Sequence, residues 1–216
     1  MYKRTGGLFF FFIVSVITLV SCQKEIVGTL TGSGGGGGGV GNPFPTNQKP
    51  KVGTTWTYRY YIYHQDGSLY QASIMTHRAK TEETIAGENW LKIVDVNTDT
   101  TVYYLQAKSD GLYQYANNNS NMFCKYPASA GDNYITYNEG GAETFYVQAV
   151  NDTLPTGIGN VLTNYYEGFK SGIRIDLIWY NNNAWIVRKT QYRNRSLLPP
   201  PIWYKHSTLF LDQISF

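Results

Sequence analysis

From Pro50 to the C-terminus, polar and apolar side chains alternate with a period of two residues. In the segment 55–63, every even-numbered residue is tryptophan, tyrosine or isoleucine. Successive side chains of a strand point to opposite faces, so this alternation predicts a strand with one buried face. No window of a dozen residues has the 3.6-residue period of a helix. The pattern therefore predicts an all-β domain over residues 50–216.

Turn signals divide this domain into a series of short strands. Asp66-Gly67 is typical of a hairpin turn, and Asn181-Asn182-Asn183 predicts a tight turn because asparagine tolerates the left-handed backbone region. The order of strands and turns predicts a mainly antiparallel meander that curves into a half-barrel or open barrel with little helix. The predicted strands are 55–63, 69–77, 89–96, 101–108, 112–115, 121–126, 134–137, 144–150, 164–169, 173–180, 184–192 and 208–214.

Two segments of the domain form an imperfect internal repeat, or echo. Residues 50–56 and 127–134 each contain a proline, then a glycine three or four residues later, then an aromatic residue that starts a strand. Proline restricts one turn dihedral and glycine permits a positive φ. The echo marks either two similar halves of one sheet or two similar turns.

The N-terminus has the three parts of a secretion signal. Lys3 and Arg4 are basic, residues 8–20 are almost entirely apolar, and Leu19-Val20-Ser21-Cys22 follows. The apolar run is shorter than the roughly 20 residues that span a bilayer, which favours a cleaved signal. An ordinary secretory signal with an incidental cysteine is the alternative.

The Leu-Val-Ser-Cys ending resembles the lipobox of bacterial lipoproteins. The resemblance implies that residues 1–21 are removed and that Cys22 is acylated, which anchors the chain in the outer membrane. Residues 22–49 then form a tether whose glycine run, 34–39, cannot bury side chains. This run lacks the Lys-Ser/Thr ending of a phosphate-binding loop, so no cofactor is expected.

Short motifs in the domain resemble those of small envelope lipoproteins. They are Pro50-Lys51-x-Gly53-x-x-Trp56-x-Tyr58, Asp110-Gly111-Leu112-Tyr113 and Tyr126-Pro127-x-x-x-Gly131-Asp132. The likeness implies a curved sheet akin to the half-barrel of LolA/LppX-like lipid-binding proteins, although residues 197–201 depart from the expected glycine-rich turn. Cys-Gln-Lys-Glu at 22–25 partly resembles surface-export signals of Bacteroidota lipoproteins. Periplasmic and cell-surface tethering both remain open.

Charge and cysteine content exclude some classes of protein. Without residues 1–21 the chain has 16 basic and 15 acidic residues with no basic cluster, so no nucleic-acid partner is expected. With Cys22 acylated, Cys124 is the remaining thiol, so no intrachain disulfide forms. Its neighbours predict a small buried side chain and not a nucleophile.

Catalytic and metal-binding patterns are weak. His64 and His77 can approach each other across the first predicted hairpin, but two histidines without a further ligand do not make a convincing zinc site. No Gly-x-Ser-x-Gly elbow is present. No spacing singles out a pair among the available acids, which are Asp95, Glu139, Glu143, Glu167 and Asp176. We therefore expect neither a metal nor an enzyme.

Two further sets of residues are candidate sites. Asp99-Thr100-Thr101 and Asp152-Thr153-Leu154 resemble the O-glycosylation pattern of Bacteroidota envelope proteins, which implicates Thr100 and Thr153 in predicted loops. Large aromatic side chains late in the chain could line a concave ligand site or simply belong to the core. They are Trp179, Tyr180, Trp185, Trp203 and Tyr204.

These observations predict a membrane-anchored envelope lipoprotein with a non-enzymatic binding domain. Its ligand is an acyl chain, a glycan or a protein, and its membrane contact is the lipid on Cys22. A structural or assembly component of the outer membrane is one alternative, and a hydrolase of envelope or environmental polymers is another.

Overall fold

A computed structural model describes residues 43–44, 48–138, 141–194 and 202–216. The described chain forms twelve antiparallel strands and no helix, as the alternation predicts. Each predicted strand overlaps one observed strand. The strands are β1 Thr55–Tyr63, β2 Leu69–Ile85, β3 Glu88–Asp95, β4 Thr101–Lys108, β5 Gly111–Ala116, β6 Asn119–Lys125, β7 Asn133–Asn138, β8 Gly141–Thr156, β9 Gly159–Lys170, β10 Ile173–Asn181, β11 Trp185–Asn194 and β12 Trp203–Ser215.

The strands form one sheet that is nearly closed into a barrel. Its order is β6-β5-β4-β3-β2-β1-β12-β11-β10-β9-β8-β7, so each strand pairs with its sequence neighbours, except that β1 pairs with β12 and β6 does not pair with β7. Eight residue pairs join β1 to β12. The sheet therefore consists of two six-stranded meanders, β1–β6 and β7–β12, joined side by side at β1 and β12.

The echoed segments form the same turn before the first strand of each meander. Gly53 N–H donates to Ala79 O (2.9 Å), and Gly131 N–H donates to Val147 O (2.8 Å). Both glycines have positive φ, +98° and +91°. Because the turns and the strand orders both correspond, the echo marks two similar halves of one sheet.

A side chain holds each of these turns in the same way. Lys51 N–H donates to Thr54 Oγ1 (3.0 Å) in the first turn. Ser129 N–H donates to Asp132 Oδ2 (3.0 Å) in the second. Short polar side chains commonly accept a backbone hydrogen bond inside a turn, which explains why threonine and aspartate occupy corresponding positions.

β6 and β7 are the two edge strands of the sheet and, unlike β1 and β12, do not pair with each other; the gap between them is the open seam. Tyrosine hydroxyls bond to carbonyl oxygens near this edge: Tyr134 donates to Phe123 O (2.7 Å) and Tyr166 donates to Lys125 O (2.6 Å). Unpaired strand edges expose backbone groups to other chains, and these two bonds satisfy part of one edge from within the molecule.

One part of the interior is packed with aromatic side chains. Trp56 stacks on Trp185 across the interior with ring centroids 5.9 Å apart, and its Nε1–H donates to Ala184 O at 2.8 Å. The Tyr58 hydroxyl donates to Ile186 O at 3.0 Å. Since the buried polar tips of Trp56 and Tyr58 have partners, these two rings keep the roughly 1.5–3 kcal/mol that burial of a large apolar side chain contributes.

Some local predictions were wrong. β2 continues eight residues beyond the predicted end, and Thr153 lies in β8 opposite Leu162, not in a loop. The tight turn predicted at Asn181-Asn182-Asn183 is present, but the residue in the left-handed region is Trp185 (φ +65°) and not an asparagine. Asn181 Oδ1 stabilises the turn by accepting the Asn183 and Ala184 N–H groups.

Several predictions concern residues outside those that the structure describes. These are the signal over 1–21, Cys22, most of the 22–49 tether, Glu139 and the 197–201 segment. Within the described ranges, no helix is long and apolar enough to cross a membrane.

Candidate ligand-binding cavities

Two cavities lie against the inward faces of strands from both meanders. The first, about 450 Å³, is lined by β1, β2, the β3–β4 turn, β4, β11 and β12. The second, about 520 Å³, is lined by strands from β4 to β12. Each volume falls in the range of about 300–1,000 Å³ that is typical of small-molecule sites. Tyr103, Lys189 and Gln191 line both, so the cavities adjoin at these side chains.

Lys189 is the central charged residue of this interior. Its Nζ lies 3.6 Å from Asp176 Oδ2 and 5.3 Å from the ring centroid of Phe123 on β6. The Lys189 and Asp176 side chains are 11 % and 12 % exposed, so both charges are largely removed from solvent. A separation of 3.6 Å is longer than a hydrogen bond and leaves both groups able to bond to a third molecule.

Burial and neighbouring charges oppose each other at this pair. Burial lowers the pKa of Lys189, but Asp176, Tyr103 and Glu143 raise it more strongly, so its pKa lies above the usual lysine value. Burial raises the pKa of Asp176, and Lys189 only partly offsets this increase. Lys189 is therefore a stable cation, and its charge favours the ionised form of Asp176 against the effect of burial.

A histidine and an aspartate line the first cavity. His77 is 4 % exposed, and its ring packs on Tyr58 with centroids 5.3 Å apart. Burial lowers the pKa of His77, and Asp95 opposes this shift. Its Nε2 atom is buried and has no hydrogen-bond partner among the described residues. His77 is thus a neutral imidazole with an unused hydrogen-bonding atom beside the cavity.

Asp95 lies where β3 turns into β4. Its Oδ1 accepts the backbone N–H groups of Thr98 (2.9 Å) and Asn97 (3.0 Å). The Thr98 N–H is the largest cause that lowers the Asp95 pKa, so the carboxylate stays ionised. The same turn carries Thr100, which is exposed and lines the first cavity. Residues 97–100 therefore hold a fixed negative charge beside the first cavity.

The structure separates the five aromatic residues that the sequence singled out. Trp203 is half-buried and lines the second cavity. Trp185 and Tyr180 are buried core residues, 4 % and 2 % exposed. Trp179 stacks on Tyr165 with centroids 4.6 Å apart and lines neither cavity. They do not form one site, and whether Trp203 binds a ligand stays a prediction.

Tyr204 takes part in a contact of its own. Its ring meets His206 edge-on with centroids 5.9 Å apart, and its hydroxyl lies 3.4 Å from His206 Nδ1. Neither residue lines the two adjoining cavities.

The structure places the titratable residues named from the sequence in different surroundings. Glu143 and Asp176 both line the second cavity, although nothing in their spacing identified them as a pair. Glu167 contacts Tyr165 and Arg174 instead. His64 packs on Tyr70 at the hairpin turn while His77 lies opposite Trp56, so these two histidines do not meet. Among the described residues, no three acidic, histidine or cysteine side chains form a metal-binding group.

Cys124 is a core residue, as its neighbours predict. It is fully buried, and burial raises the pKa of its thiol well above the usual value. A thiol in this state is not a nucleophile at neutral pH.

Sequence reasoning missed Lys189 and Gln191. The pair Arg188-Lys189 looks like ordinary exposed strand residues, and one bulge decides which of the two faces inward. A register shift between Trp179 and Tyr180 places Trp179 opposite Arg188, whose guanidinium lies over that ring at 4.5 Å. Lys189 therefore points to the other face, into the barrel.

Comparison of the chain with protein-family models, with curated proteins and with solved structures finds no match.

Proposed function

We propose that this protein is a membrane-anchored lipoprotein of the bacterial outer membrane whose β-domain binds a small ligand between its two meanders. The observation that carries the proposal is the pair of adjoining cavities that meet at Lys189. Together they provide room for a small molecule and a small number of polar groups that can orient it, which are the usual elements of a binding site.

The energetics of the interior favour this proposal over a purely structural role. A buried ion pair is weak support for stability, because desolvation of the two charges offsets most of their attraction. Lys189 and Asp176 at 3.6 Å gain less than a directly hydrogen-bonded pair gains. Charged groups kept in this arrangement beside a cavity are better explained by contact with a bound molecule.

Anchoring through Cys22 completes the proposal. Each buried methylene contributes about 0.8 kcal/mol and one acyl chain holds a protein only marginally, so several chains are needed for stable attachment. A tether of this length has a root-mean-square reach of roughly 30 Å, which allows the binding domain to stand off the lipid surface. Cys22→Ala is expected to move the protein from the membrane fraction to the soluble fraction. Retention in the membrane would contradict this part of the proposal.

Native mass spectrometry tests the binding function. The full chain is extracted from an envelope-containing host in a sugar-free detergent, beside a Gln191→Trp variant that places a large ring where the cavities adjoin. We expect a retained small mass on the wild type and none on the variant. Ile135→Trp, which adds a ring at an exposed position of β7, is the matched control and should retain the mass. A wild-type protein that carries no additional mass would contradict the proposed binding function.

A hydrolase is the second candidate, favoured by one observation. Glu143 and Asp176 line the same cavity, and burial raises the pKa of Asp176 in the direction that a general acid requires. Release of nitrophenol from nitrophenyl glycosides that Asp176→Asn abolishes would establish this activity. If wild type and variant release the same background amount, the binding function stands alone.

A further inference from the structure

We propose that the second cavity binds a polyhydroxylated ligand, a neutral sugar unit, and not an acyl chain. This inference rests on the proposed binding function and names the chemical class of its ligand.

The side chains around the second cavity are chiefly of two kinds. Amide, hydroxyl and charged groups form one set, which includes Gln114, Thr136 and Gln191. Aromatic rings form the other set, and among the described lining residues only Ala116 and Ile175 are aliphatic. An acyl chain gains from water-free aliphatic surface, whereas burying these polar groups beneath methylenes would cost free energy without a compensating hydrogen bond. Hydroxyl groups supply those bonds.

The aromatic residues suit the remaining surface of a sugar. The C–H groups on a sugar face carry a partial positive charge and pack on the negative face of an aromatic ring. Trp203 and Tyr192 lie on neighbouring strands at this cavity. The Trp203 Nε1 atom is buried and has no hydrogen-bond partner among the described residues. Trp203 therefore offers an aromatic ring to a ligand, although its buried Nε1 atom does not open onto the cavity.

The charges of the cavity favour a neutral ligand. Two carboxyl groups, Glu143 and Asp176, are balanced by two ammonium groups, Lys170 and Lys189. Among the described lining residues, no further cation is present to pair with the carboxylate of a fatty acid, which makes its entry into a low-dielectric interior costly. A neutral sugar requires no counter-charge, and its hydroxyl groups can bridge Lys189 and Asp176 across their 3.6 Å separation.

Two tryptophans of the chain provide a matched pair for the test. Trp203 lines the second cavity, whereas Trp179 stacks on Tyr165 and lines neither. The full chain is prepared in sugar-free detergent as wild type, Trp203→Ala and Trp179→Ala. Binding is measured by saturation-transfer NMR and calorimetry with maltose, cellobiose and diacetylchitobiose at millimolar concentration, and with dodecanoate as the acyl probe.

We expect at least one disaccharide to bind the wild type and Trp179→Ala, with affinity lowered about tenfold or more in Trp203→Ala, as for the loss of a central aromatic contact. If no disaccharide binds, or if both variants bind it equally, the inference is overturned. Displacement of a copurified mass by dodecanoate alone overturns the inference but keeps the binding function. Absence of any copurified mass together with failure of every probe overturns both.

Discussion

A lysine in a barrel interior carries a desolvation cost of several kcal/mol, and Lys189 offsets it through two carboxyl groups. Asp176 and Glu143 both raise its pKa. All three residues lie on strands of the second meander, and the ring of Phe123 on β6 brings the first meander against the Lys189 ammonium group. At the residue scale, this cluster links the stability of the fold to the proposed site.

Removing the cation should destabilise the protein more than removing both charges. Lys189→Met leaves Asp176 in the interior without its ion-pair partner, and we expect the free energy of unfolding of this variant to fall by about 3 kcal/mol. The double variant Lys189→Met/Asp176→Asn should lose clearly less than the sum of the single variants, with a coupling of at least about 1 kcal/mol in urea denaturation.

The exposed ion pair Lys80–Asp99 is the control for this experiment. Lys80→Met should change the free energy of unfolding by less than about 1 kcal/mol, because water screens the pair. Additive losses at Lys189 and Asp176 would show that the two side chains do not interact energetically.

His77 predicts a specific loss of stability in mild acid. Its folded-state pKa lies below the ordinary value near 6.5, so the unfolded chain binds the proton first as pH falls. The contribution of neutral His77 to the free energy of unfolding is complete above about pH 6.5. Below that pH it is lost at no more than about 1.4 kcal/mol per pH unit. The free energy of unfolding of His77→Phe, measured by thermal or urea denaturation, should therefore fall less steeply between pH 7.5 and pH 5 than that of the wild type.

The difference between the two proteins isolates His77 from other groups that titrate in this range. Tyr58→Phe removes a buried hydrogen bond from the ring packed on His77 without changing a charge below pH 8. It should lower stability while keeping the wild-type pH dependence. An unchanged pH dependence in His77→Phe would mean that this histidine is not held neutral.

At the scale of strands and turns, alternation predicted twelve strands because one face of each is buried. The prediction of strand length was wrong in segments where neither face of the strand is buried. The end of β2, around Thr81-Glu82-Glu83-Thr84, alternates poorly because much of it is exposed, and pairing with β3 alone keeps it extended. The end of β8 contains Asn151, Asp152 and Pro155, which are turn signals, yet it pairs with β9 through an irregular register.

The paired turns make a prediction at this scale. A Cβ added at Gly53 or Gly131 meets nothing within 4 Å, so the cost of Gly→Ala at either site is conformational strain and not a clash. Since both φ values lie near +95°, each variant should lose about 1–3 kcal/mol of unfolding free energy, by similar amounts.

Ala130→Ser, at an exposed neighbouring position, is the control and should change stability by less than about 0.5 kcal/mol. A large loss at one glycine with none at the other would contradict the equivalence of the two turns.

At the scale of the whole described domain, two similar meanders meet differently at their two junctions. The β1/β12 junction is a hydrogen-bonded ladder with one register shift, whereas β6 and β7 are edges. The second cavity is lined by residues on both sides of that open seam, including Phe123 and Thr136. The asymmetry places the proposed site beside the junction that is not closed.

The cavities themselves were not predictable from the sequence. Asp176 and Glu143 were among five plausible acids, and only barrel closure selects them. The inward direction of Lys189 depends on a bulge that no alternation pattern reveals. Trp203 was identified for its size, but its separation from Trp179 and Trp185 follows from strand order and register.

The central claim, that the interior between the meanders is a ligand site, is tested most directly by a crystal structure of the full chain purified from its own envelope. We predict density for a small organic molecule in the second cavity, with polar atoms within about 3.5 Å of Lys189 Nζ or Gln191. Cavities that hold ordered water alone, with Lys189 and Asp176 hydrogen-bonded directly to each other, would contradict it.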